Sequence, residues 1–205
     1  MFILLLIFSV VLIALIVYRN ISLKKTITIV PENELHVLNL DKGGVFRLTG
    51  VGYSSEEINL KVLAKHMYRQ GDYYWYELEC DKGNGEKVWV EIEDDDETIV
   101  SIVLQKLTLR DIGLTSTDLD NIDEYERGDL RYNGEIFVYT DSDEATFYRF
   151  CDDAKSEKLY YWDFENGNYS IGVERWGNRE YEVSYSQSMK PSQITVYLNK
   201  EKGVR

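Results

Sequence analysis

The sequence predicts a mostly β fold: one soluble domain of two related antiparallel β meanders or sheets, compatible with an internal duplication, behind a single N-terminal transmembrane helix. Three observations predict it. The first 18 residues are almost wholly apolar; from residue 41 onward, short β-branched and aromatic runs alternate with Gly, Asn and Asp; and the two halves of that region echo each other. With 205 residues the chain has room for one domain of ~100 to 200 residues plus an anchor. Its expected parts are an anchor at 1–19, a juxtamembrane connector at 20–40 and a β domain at 41–200, with sub-halves at about 41–108 and 131–198.

Phe2 to Tyr18 is interrupted only by Ser9. At ~1.5 Å per residue such a helix just crosses a hydrocarbon layer of ~30 Å. A cleaved secretory signal needs a basic segment before the apolar stretch and a small-residue cleavage site after it. Only Met1 precedes the run, and Val17, Tyr18, Arg19 and Asn20 end it. A buried globular helix would show a polar stripe. The expectation is therefore an uncleaved anchor, with the lipid bilayer around residues 2–18. Arg19, Lys24 and Lys25 follow it, and basic residues favour the cytoplasmic side, so the domain is expected in the cytoplasm and the N-terminus outside the cell membrane. Residues 26–205 carry 20 basic against 36 acidic side chains, a formal charge of −16. Nucleic-acid backbones and anionic lipids are repelled by such a surface; a basic protein partner or a cation suits it.

Within the connector, Ile27 to Val30 reads as a short strand before Pro31, and Glu32 to Leu40 as a short helix. Five strands are then expected at Gly44 to Gly50, Asn59 to Arg69, Tyr73 to Cys80, Lys87 to Glu93 and Thr98 to Leu107. In the fourth, Val88, Val90 and Ile92 share one face, which is expected in the core. Lys87, Trp89, Glu91 and Glu93 share the other, which is expected to be wet. The periodicity breaks between Leu109 and Arg131, where a polar loop with one short helix is expected. A second β set follows at Glu135 to Thr140, Ala145 to Cys151, Lys158 to Glu165, Tyr169 to Trp176, Tyr181 to Ser186 and Gln193 to Leu198. In the fifth of these, Tyr181, Val183 and Tyr185 face in. The echo aligns Tyr73-Tyr74-Trp75 with Tyr160-Tyr161-Trp162, the turn Gly83-Asn84-Gly85 with Asn166-Gly167-Asn168, and Glu91 with Glu174.

Several of these segments together resemble a known family. Asp41-Lys42-Gly43-Gly44-Val45-Phe46-Arg47-Leu48-Thr49-Gly50 is similar to its Gly-rich first strand. Trp75-Tyr76-Glu77-Leu78 and Val88-Trp89-Val90-Glu91 are similar to its W-x-E-x-x-L and W-L-x-x-E strands, with Tyr76 inserted after Trp75 and Val90 in place of Leu. Arg131-Tyr132-Asn133-Gly134-Glu135 resembles its Y-x-G re-entry, and Val173-Glu174-Arg175-Trp176-Gly177 its S-x-E-x-W strand. From Asp41 to Tyr197 the chain resembles the bacterial domain of unknown function 4178. The resemblance implies an accessory role at a membrane and carries over no catalytic residue.

Glu91 and Glu174 are the candidate catalytic pair, because equivalent strands of a duplicated domain bring them face to face as acid and base beside Trp89 and Trp176. That is the basis of a hydrolytic or carbohydrate-binding alternative; an ordinary wet-face Glu is the simpler reading. Tyr74, Trp75, Trp89, Tyr161, Trp162 and Trp176 are candidate contacts for a protein partner, since Tyr and Trp combine large apolar area with a polar handle. Asp94, Asp95 and Asp96, in the run ending at Glu97, are weak metal candidates for a divalent-cation sensor. They lack the spacing of a specific calcium loop, and the acidic runs at 94–97, 141–144 and 152–153 read first as solvated loops. His36 and His66 have no partner at metal-ligand spacing, and no nucleophile elbow or phosphate-cradling loop is present. No cofactor is expected. Cys80 and Cys151 lie 71 residues apart, as free thiols in a reducing cytoplasm or a disulfide pair if the domain faces outward. The leading functional expectation is a membrane-tethered, non-enzymatic accessory or protein-interaction module.

Overall fold

Among the described residues, period-two alternation gives eleven strands, all paired antiparallel, and there is one α-helix. The strands are β1 (Val45–Val51), β2 (Glu56–Gln70), β3 (Tyr73–Asp81), β4 (Lys87–Asp94), β5 (Thr98–Leu107), β6 (Asp129–Tyr132), β7 (Glu135–Tyr148), β8 (Ser156–Asn166), β9 (Tyr169–Trp176), β10 (Glu180–Met189) and β11 (Ile194–Leu198), and the helix is α1 (Ser116–Tyr125). The computed structural model describes residues 35–83, 85–94, 98–177 and 180–200. The expected anchor at 2–18 and strand at 27–30 lie outside the described residues. Among the described residues no helix is long and apolar enough to cross a membrane. The helix expected at 32–40 is represented there by a single 3-10 turn, Val37–Asn39.

The strands form a single sheet in the order β11-β1-β2-β3-β4-β5-β10-β9-β8-β7-β6, not two separate sheets, and β2 additionally pairs with β7. That extra pairing joins β2, β3, β4, β5, β10, β9, β8 and β7 into a closed ring of eight strands. β2 is long enough to serve two neighbours on one edge: Glu56 to Lys61 pair with β1, and Met67 to Arg69 pair with β7. The two five-strand runs, β1–β5 and β6–β10, are connected alike. They meet through equivalent strands, β2 with β7 and β5 with β10, as a two-fold axis requires. β11, expected in the second half, returns to pair with β1 of the first.

Two bulges decide which side of the ring each residue faces. In β2 the register steps from Val62 opposite Cys80 to Ala64 opposite Glu79, leaving Leu63 unpaired. In β7 it steps from Tyr139 opposite Phe164 to Asp141 opposite Asp163, leaving Thr140 unpaired. An extra residue reverses the inward and outward sets, since side chains alternate with period two. Hence Ile58, Leu60 and Val62 pack outside the ring, whereas His66 and Tyr68, at the same spacing, point inside.

The two larger hydrophobic cores lie on the outer faces. The first packs Phe46, Leu48, Leu60, Leu78, Val90 and Ile102 beneath Val37 and Leu40. In the second, Leu119 and Ile122 of α1 cover Phe137, Trp162, Phe164 and Val173. Each fully buried Leu, Ile, Val or Phe contributes roughly 1.5–3 kcal/mol, so most of the cohesion sits outside the ring. α1 starts at a capping box in which the Thr115 and Asp118 side chains each accept the other's backbone N–H. Asp123 then accepts hydrogen bonds from Ser142 (2.7 Å) and Tyr160, fixing the helix to β7 and β8.

Two further expectations change. Asp141-Ser142-Asp143-Glu144 is not a loop between strands but the middle of β7. The strand tolerates it because alternation separates the acids and each finds a partner: Tyr161 donates to Asp141 (2.8 Å), Gln70 donates to Asp143 (2.6 Å), and Lys158 pairs with Glu144. The disulfide alternative also falls. Cys80 is buried in the first outer core and Cys151 is exposed after β7, both as free thiols.

Because the face reversal depends on the inserted residue, deleting Leu63 is expected to abolish the cooperative thermal transition, while Leu63→Ala costs less than ~2 kcal/mol at this half-buried position. Circular-dichroism melting checks both, and a deletion chain that melts like the parent contradicts the register argument.

Candidate functional site

Residues from all eight ring strands converge on one cavity of about 470 Å³. One end of the ring is filled by an aromatic plug at the β2–β7 junction. Tyr68 stacks on Trp75 (5.2 Å between centroids, 10° between planes) and tilts against Phe147 (4.9 Å), while Tyr161 and Trp176 close the sides. Beyond the plug the wall is polar. Trp89 and Trp176 contribute indoles, but seven glutamates line the cavity against Lys87, Lys106 and Arg149.

Strand register places the carboxyls in cross-strand pairs. Glu77 lies opposite Glu91, and Glu174 lies opposite Glu182. Like charges so placed repel, at roughly 0.2–1 kcal/mol per exposed pair and more when enclosed. Lys106 offsets part of this: its Nζ is 3.4 Å from Glu182 Oε2 and lies 5.3 Å from the centroid of the Trp89 ring. Lys87 contacts Glu79 at 2.5 Å. Glu174 accepts from Trp176 Nε1 (3.1 Å) and from the Tyr68 hydroxyl. His66 Nδ1 accepts from the Phe150 amide (3.0 Å), so its ring proton sits on Nε2, 4.0 Å from Glu79; burial, opposed by Glu79, lowers its pKa.

Enclosure raises the pKa of Glu77, Glu91, Asp163 and Glu174. Glu77 is pushed up to about 8, chiefly by burial and then by the Glu174 charge, with Lys106 opposing. Asp163, on β8, is also pushed up to about 8, by burial and then by Glu93. Glu91 is raised well above the usual carboxylate range by burial, then Glu93 and Asp163. For Glu174 burial again raises the pKa, against Lys106. All four residues are half-buried, and Glu77, Glu91 and Glu174 line the cavity.

A family model described as Domain of unknown function (DUF4178) matches residues 54–191, about two thirds of the chain. The chain belongs to the DUF4178 family. The matched segment of this DUF4178 domain contains every ring strand, α1 and β6, and leaves out β1 and β11. No curated protein and no solved structure matches the chain.

The residues nominated from sequence separate into three groups. Glu91 and Glu174 do meet in one cavity, with Trp89 and Trp176 on its wall. Counting from the two bulges makes them equivalent, since Glu91 pairs with Glu77 and Glu174 with Tyr161, the matching positions of β3 and β8. The face of Trp89 and Glu91, expected to be wet, is the ring interior. The nominated partner contacts do not form one surface. Trp75 and Tyr161 are buried in the plug and Trp162 in the second outer core, leaving Tyr74 exposed at 47%. Of the metal candidates, Asp95 and Asp96 lie outside the described residues, and Asp94 accepts from Thr98 Oγ1 at 3.3 Å. Among the described residues no three His, Cys, Asp or Glu side chains converge to hold a metal ion. Glu77, Asp163, Lys106 and Tyr68 went unnominated. The signal that could have found Glu77 is its two-residue spacing from Trp75, which sets both on one face of a strand.

A carboxyl whose folded pKa exceeds its unfolded value keeps a proton that the unfolded chain has already lost, so its contribution is greatest at low pH and declines as pH rises toward the folded pKa. Stability is therefore expected to fall between about pH 5 and 8, by up to ~1.4 kcal/mol per pH unit for each such carboxyl. Thermal melts at pH 5.5 and 7.5 check this: the midpoint should drop at pH 7.5, and Glu77→Gln with Asp163→Asn should flatten the difference.

Proposed function

We propose that this DUF4178 protein is a membrane-tethered, non-enzymatic binding module whose ligand occupies the interior of the eight-stranded ring. The observation that supports it most is the convergence of inward residues from all eight strands on a 470 Å³ cavity, within the ~300–1,000 Å³ of small-molecule sites. Few polar groups face such a cavity without a role, because enclosing a carboxyl costs folding free energy. Binding is favoured over hydrolysis by the state of the acids. Acid–base catalysis needs two groups whose pKa values are driven apart, whereas Glu91 and Glu174 are both driven upward.

The tether belongs to the same reading. Residues 2–18 suit a bilayer span, and the basic residues after them favour a cytoplasmic domain. The 16 residues from Arg19 to Glu34 reach at most about 58 Å when extended, and the acidic domain after them is repelled by anionic lipid. An accessory role follows: occupancy of the ring is reported to a neighbouring membrane component.

The test is a thermal-shift screen of the full chain in detergent against amines, sugars and carboxylates. A ligand at 100 times its Kd stabilises by ~2.7 kcal/mol, a shift of several degrees. At least one class is expected to produce it, and Trp89→Ala to abolish it. Silence from every class, or release of a cleaved product, overturns the binding reading. A reporter fused after Arg205 is expected to be active only when it matures inside the cell.

A further inference from the structure

Resting on that reading, we infer that the ligand of the ring is a small organic cation, its ammonium group seated among Glu77, Glu91 and Glu174. Lys106 offsets part of the charge of Glu77 and Glu174, but among the described residues no wall base forms an ion pair with any of the three. Lys87 is engaged by Glu79 and Lys106 by Glu182. No side chain among the described residues donates a hydrogen bond to Glu77 or Glu91, and Glu174 receives only the neutral Tyr68 and Trp176 donors.

Lys106 displays the chemistry the site offers. Its own ammonium lies near the face of an indole, 5.3 Å from the Trp89 centroid, with a carboxylate 3.4 Å away. Cation–π attraction joined to ion pairing is how aromatic cages hold ammonium groups. Around Glu91 the neighbouring charges, Glu93, Asp163, Glu77 and Glu174, are all acidic and reinforce one another. An ammonium arriving there replaces the protons that otherwise quiet this repulsion, so binding should release protons.

Other ligand classes fit less well. An anion meets seven glutamates and three bases. A bare metal ion lacks three converging ligands among the described residues, and 470 Å³ is far larger than an ion needs. A neutral sugar can stack on Trp89 but leaves the cross-strand acid pairs uncompensated.

The experiment is calorimetric titration of the full chain in detergent micelles at pH 7 with butane-1,4-diamine, tetramethylammonium and glucose, each in two buffers of different ionisation enthalpy. The diamine is expected to bind with a buffer-dependent heat that reports proton release. Glu91→Gln with Glu174→Gln is expected to melt no lower than the parent and to bind at least tenfold more weakly; Glu91→Gln alone serves if the double variant does not fold. Glucose binding without amine binding overturns the cation inference and leaves the ring-binding reading standing. If neither class binds, both fall. Equal amine affinity in parent and variant overturns the seat among the three glutamates.

Discussion

Three residue pairs, Met67 with Tyr148, Tyr68 with Phe147 and Arg69 with Thr146, hold β2 to β7, and the existence of an interior depends on them. Without this junction the eleven strands are an open sheet whose inner acids face water. With it, the same acids are enclosed. So short a ladder cannot rest on backbone hydrogen bonds alone, and the aromatic plug supplies the rest: Tyr68, at the middle of the junction, contacts both Trp75 and Phe147. Offset and edge-on aromatic pairs add roughly 0.5–1.5 kcal/mol each beyond the area they bury. The closure is thus a side-chain event that the backbone records.

Closure also explains the distribution of polarity. A ring of this size lined with apolar residues would pack solid; here the apolar residues are turned outward beneath β1, β11 and α1, and the polar ones inward. The bulges at Leu63 and Thr140 make that inversion possible, since each lets one strand serve an outer core along part of its length and the interior along the rest. Gly172 follows the same logic. A Cβ there would stand 3.2 Å from Ser184 Oγ and 3.4 Å from Asp163 Oδ1, so glycine lets the backbone close over the acid.

Most strands were legible because alternation is a local signal: Tyr169–Trp176 lies where its pattern sets it, and Lys87–Asp94 differs by one residue. What alternation cannot convey is the nature of the polar face. The sequence Val88-Trp89-Val90-Glu91-Ile92 is the same whether Glu91 meets bulk water or a ring interior, and only the long-range β2–β7 pairing decides between them. The bulges were hidden for a related reason, since neither Leu63 nor Thr140 is a glycine or proline that would mark an irregularity. The echo between the halves was legible at Glu91 and Glu174 but slipped by three residues at the aromatics, an odd number that changes the face. Trp75 faces Tyr68 inside the ring, whereas Trp162 faces Ser142 outside it. Tyr161, not Trp162, lies on the interior side of β8.

The two outer cores have a consequence for how such a domain can change over time. In most small proteins the residues that recognise a ligand share their packing with the residues that keep the chain folded, so new specificity is gained at the expense of stability. Here the two tasks are spatially divorced. Apart from the plug, the inner wall can exchange acid for base or indole for glycine while Leu78, Val90, Phe164 and Val173 hold the scaffold from outside. Trp89 and Gly172 already stand at matching positions of the two halves, as do Glu77 and Tyr161. The two half-rings thus present different side chains at these matching positions on one scaffold.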